Sequence, residues 1–110
     1  MSRIRVHGVD IVIAEGAQAS TGTIGKAAIK AARAIAIFAP ATLAETIRVE
    51  VSNDAGSTWK ILQSGGSDVT ISAAECIIID SVAYDDLRLY ASSGVTAAAR
   101  TFTTHIVEEF

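Results

Sequence analysis

Residues 46–52, Thr-Ile-Arg-Val-Glu-Val-Ser, alternate without a break, with Ile47, Val49 and Val51 on one side and Arg48, Glu50 and Ser52 on the other. A period of two is the pattern of a strand with one buried face, and a helix cannot satisfy it. Asn-Asp-Ala-Gly follows at 53–56, and Ser-Thr-Trp-Lys-Ile-Leu returns at 57–62, which predicts a hairpin. The same alternation of strand and turn chemistry continues downstream. A turn around Gly65 and Gly66 precedes a short strand at 69–72, and Cys-Ile-Ile-Ile at 76–79 is the apolar run of a strand covered on both faces. Residues 87–91 alternate again, 92–96 form a turn, and 99–107 close the chain with Phe102 and Ile106 on one face. Short strands separated by polar turns predict an all-β chain, a small antiparallel β-sandwich of jelly-roll-like form with about eight strands.

The first third is less regular. Ile4 and Val6 alternate with Arg3, Arg5 and His7, and Val9, Ile11 and Ile13 continue the pattern if Gly8 marks a bulge. Residues 15–25 are small and polar, as in a flexible loop or arm. Residues 26–39 pull two ways. Their alanines, with Lys26, Lys30 and Arg33, favour helix by propensity, whereas 34–39 alternate by size up to Pro40. Sheet context favours strands at 24–30 and 33–39, with a single helical turn at 41–45.

At 110 residues the chain supports one domain spanning 1–110, and at 50% apolar and 19% charged it is too apolar for disorder. The apolar half is mostly alanine, isoleucine and valine, and only 5% of residues are aromatic. A core short of bulky rings suggests that further surface is buried against a partner. A net charge of −3 without a basic block argues against nucleic acid as a partner. No apolar run approaches the ~18 residues of a membrane helix. The opening segment is not a secretory signal, because Asp10 and Glu15 interrupt it, so the expectation is a soluble chain made in the cytoplasm.

Catalytic and metal chemistry find little support. The lone Cys76 builds neither a disulfide framework nor a zinc site, and its apolar neighbours predict a buried, inert thiol. His7 and His105 fall near opposite ends on polar strand faces; a metal would need Asp10 or Glu108 as well. Asp85 and Asp86 are adjacent, so in a strand they point to opposite faces and do not converge on a substrate. No nucleophile elbow or phosphate-binding loop is present. The expectation is therefore no enzyme, no catalytic residue, no cofactor and no metal. At the two ends, Arg3 and Arg5 are placed to meet Glu108 and Glu109 if the first and last strands pair.

Residues 52–59, Ser-Asn-Asp-Ala-Gly-Ser-Thr-Trp, match the Asp-box pattern Ser-x-Asp-x-Gly-x-Thr-Trp at every fixed position. Asp54 can accept amide hydrogen bonds across the turn, Gly56 can take a positive φ, Thr58 favours the returning strand, and Trp59 can lie against the hairpin base. Sialidase propellers carry one such box per blade, and a single copy in a chain of this length excludes that fold. The box predicts a tight hairpin.

A wider resemblance covers 34–104: an apolar strand ending at Pro40, the strand 47–52, the Asp-box turn with Trp59, a Gly/Asp loop before Val69, Leu87-Arg-Leu89, and 98–102 after a Ser/Gly loop. In this order the chain resembles small virion structural proteins of tailed bacteriophages, of the capsid decoration or cement type. The resemblance implies a protein on the capsid surface that binds the major capsid protein as a homo-oligomer, commonly a homotrimer, and stabilises the shell. It carries over no catalytic residue. The surplus small residues, at 27–41 and 97–99, give candidate subunit contacts at Ala34, Ile35, Ile37, Phe38 and Ala98. The alternative is a β-sandwich module of a spike or fibre that recognises a glycan or host surface through Trp59, Tyr84 or Tyr90.

Overall fold

The computed structural model describes residues 4–20, 32–80 and 84–109. Among the described residues ten strands occur: β1 (Ile4–Ile13), β2 (Ala32–Phe38), β3 (Ile47–Ser52), β4 (Lys60–Ile61), β5 (Gln63–Ser64), β6 (Ser67–Asp68), β7 (Thr70–Ile71), β8 (Cys76–Ile79), β9 (Asp86–Ala91) and β10 (Arg100–Glu109). The expected strand at 24–30 lies outside the described residues. Every ladder is antiparallel, and no helix occurs among the described residues.

Two sheets enclose one core. The first has the order β1-β10-β2-β8. In the second, β3 pairs with β9 along one edge and with β4 and then β7 along the other. Ile11, Ile13, Ile35, Ile37 and Phe102 from the first sheet meet Ile47, Val49, Leu87 and Leu89 from the second, all fully buried. The chain crosses between sheets after β2, β7, β8 and β9, so the core closes only when distant segments have come together. This is the expected small all-β sandwich, with more and shorter strands than the alternation alone suggests.

The extra strands come from 60–71. The amide of Leu62 donates to Val49 O, Val49 donates to Val69 O, and Val69 donates to Leu62 O, at 2.9–3.0 Å. That triangle lets β4 and β7 share one edge of β3 while β5 and β6 branch off as their own hairpin. Gly65 and Gly66 both have positive φ (61° and 84°), the conformation that a two-residue hairpin turn of matching twist requires.

Four expectations are corrected. β1 runs in unbroken register with β10 through Gly8, so there is no bulge. Ile4 and Val6 consequently face away from the side that carries Ile11 and Ile13. The segment 41–45 makes no helical turn: half-buried Leu43 packs against the core and Arg100 grips Glu45, which draws the connection out between the sheets. Strand 76–79 is covered on one face only; Ile77 and Ile79 turn inward while Cys76 and Ile78 are exposed, so the thiol is not buried. Residues 15–20 are no free arm. Ala91 donates to Gln18 O and Ser20 to Leu89 O, and Ala19 bridges Tyr90, which pins the segment along the β9 edge.

Candidate functional site

Three places carry the side chains on which a function can rest: the Asp-box turn, the outer face of the β3–β9 sheet and the outer face of the β1-β10-β2-β8 sheet.

The Asp box folds as its residue types dictate. The Ser52 hydroxyl donates to Asp54 Oδ1 (2.7 Å) and accepts from the amides of Gly56 (2.8 Å) and Asp54 (3.3 Å). Asp54 Oδ1 also accepts from the Thr58 amide (2.8 Å). The Ser52 hydroxyl, then the Thr58 hydroxyl and amide, hold the Asp54 carboxyl below its ordinary value of 3.8. Gly56 sits at φ 90°, where a Cβ would lie 3.5 Å from the Trp59 ring. All four expected residues, Asp54, Gly56, Thr58 and Trp59, belong to one turn, and its outcome is to aim Trp59 at the neighbouring strand.

That strand carries an arrangement the sequence pattern did not reveal. Glu50, on the side expected to be solvated, is only 4% exposed. Its Oε1 takes Arg88 Nε and Nη2 at 2.8 and 2.7 Å, and its Oε2 takes Arg48 Nη2 and Nε at 2.8 and 3.0 Å. The Arg88 guanidinium lies over Trp59 (4.6 Å to the ring centroid) and 5.5 Å from the Tyr90 centroid; Arg48 lies over Tyr90 (4.7 Å). Trp59, Arg88, Tyr90 and Arg48 thus form a ladder of alternating rings and cations, neutralised in part by one carboxylate. The cross-strand register explains it, because Arg48 faces Tyr90 and Glu50 faces Arg88. The signal available in sequence was the second alternating set, Arg88 and Tyr90, opposite the first.

The other outer face is built from β1 Ile4, Val6, Gly8 and Asp10, β10 Thr103, His105 and Val107, β2 Ala34, Ala36 and Phe38, and β8 Cys76 and Ile78, which the registers place side by side. Its large apolar residues stand open: Ile78 is 70% exposed, Ile4 60%, Val6 59% and Phe38 41%. Phe38 touches the His105 ring edge-on at 5.4 Å.

The remaining candidates sort by register. Of the expected subunit contacts, Ile35 and Ile37 are fully buried in the chain's own core and have no surface to offer; Ala34 is half-buried, and Phe38 and Ala98 are exposed. His7 and His105 lie on neighbouring strands with opposite orientation, since His7 pairs with Ile106 and Gly8 with His105. They share no site, and no cluster of three metal-ligating side chains occurs among the described residues. His7 Nδ1 instead lies 3.4 Å from Glu108, whose other oxygen binds Arg5 at 2.8 Å, so the expected meeting of the two chain ends occurs within one molecule. Asp86 is buried at the start of β9, and the Asp85 amide donates to Ser52 O, so the two serve the hairpin base and do not form a carboxylate pair. Tyr84 has a buried hydroxyl without a partner among the described residues, and burial pushes its pKa up to about 12. Among the described residues no helix is long and apolar enough to cross a membrane.

No protein-family model, curated protein or solved structure matches this chain.

Proposed function

We propose that this chain is a structural protein of a tailed-bacteriophage particle, a capsid decoration protein that works by contact and without catalysis. The observation that carries the reading is the uncovered apolar face of the β1-β10-β2-β8 sheet, with Ile78, Ile4, Val6 and Phe38 all open on a body whose core is otherwise closed. Monomeric proteins seldom expose a contiguous apolar patch of more than a few hundred Å², and larger ones mark interaction surfaces. The resemblance of 34–104 to phage virion proteins supplies the setting: a homo-oligomer that binds the major capsid protein and adds buried area to an assembled shell. Binding to the shell alone would stabilise it by mass action. Against the glycan-binding alternative, guanidinium groups lie over the Trp59 and Tyr90 rings and the Tyr84 hydroxyl is buried, which supports the contact reading. Mass spectrometry of the purified particle tests the proposal. The chain should be present in stoichiometric amount and should raise the temperature at which the shell opens; its absence from the particle overturns the reading.

A further inference from the structure

We draw no further inference here: the strongest candidate, the cleft beside β8 lined by Leu62, Val69, Ile78, Ile79 and Asp80, is an unpartnered, largely apolar groove, and nothing in the structure shows what covers it.

Discussion

The outer faces of the two sheets began from similar material and ended in opposite states. Both are strand faces turned away from the core, and both hold large side chains. On the β3–β9 face those side chains satisfy one another: a buried carboxylate sits between two guanidinium groups, and each guanidinium lies on a ring. On the β1-β10-β2-β8 face Ile4, Val6, Phe38 and Ile78 stand open among Asp10, Thr103 and His105, and none of the described residues covers them. A sheet face closes itself when cross-strand partners are chemically complementary, and stays open when they are merely alike.

The most severe way to break the closed face is to remove its hub. Glu50→Ala leaves two guanidiniums on a crowded face without their carboxylate, which should cost about 3 kcal/mol, the low end for a buried pair because both arginines keep some contact with water. Urea unfolding measures it. A loss below about 1 kcal/mol would mean that the face is held by packing of the rings and not by the ion pairs.

These two faces also show what was legible in the chain. The strands expected at 46–52, 87–91 and 99–107 and the Asp-box hairpin follow from period-two alternation and turn chemistry, both of which are local. The state of each outer face depends on which strand lies beside which, and that is set by long-range register. Alternation marked Glu50 as solvated because it is polar; only the pairing with Arg88 explains its burial. A bulge at Gly8 would put Ile4 and Val6 on the core side with Ile11 and Ile13, since apolar residues usually share one face, yet the ladder passes Gly8 unbroken. The run 76–79 reads as a doubly covered strand by composition, but β8 lies at a sheet edge with one side open. Likewise 34–38 suggests a subunit contact by composition, yet two of its four candidates, Ile35 and Ile37, belong to the core.

Arg88→Lys sharpens the comparison by keeping the charge and removing the planar group. A lysine cannot reach Glu50 through both Nε and Nη2 while stacking on Trp59, so stability should fall by about 1 kcal/mol. The indole fluorescence of Trp59, the only tryptophan, should change with it. A variant that unfolds at the wild-type urea concentration would show that the ladder contributes nothing beyond its net charge.

The turn that delivers Trp59 adds a dependence on acid. Because the folded pKa of Asp54 lies below its ordinary value of 3.8, its hydrogen bonds stabilise the folded chain above that pH and are lost as the pH falls through the folded value. Glu45, lowered from 4.5 chiefly by its hydrogen bond with Arg100, acts in the same direction. Stability should therefore decline on acidification below about pH 4, and Asp54→Asn should flatten the decline while lowering stability at neutral pH. An unchanged acid limb in that variant would remove Asp54 from the account.

The open face gives the smallest effect on folding and the clearest contrast. Ile78 is 70% exposed in the single chain, so its truncation to serine removes few intramolecular contacts. Ile78→Ser should change the stability of the dilute chain by no more than about 0.5 kcal/mol, as expected of an exposed position. The equivalent loss at buried Ile37, from the same sheet but the opposite side, should be several-fold larger, since Ile→Ala in a core costs about 2–5 kcal/mol. The two substitutions separate what the sheet does for its own fold from what it presents outward. Comparing urea midpoints at low and high protein concentration makes the distinction direct. At low concentration Ile78→Ser and the parent chain should coincide; at high concentration only the parent should gain, because only a face that buries its isoleucine against another surface is stabilised by association. A large loss at low concentration would instead mean that Ile78 is already covered within the single chain, and the contrast between the two faces would disappear.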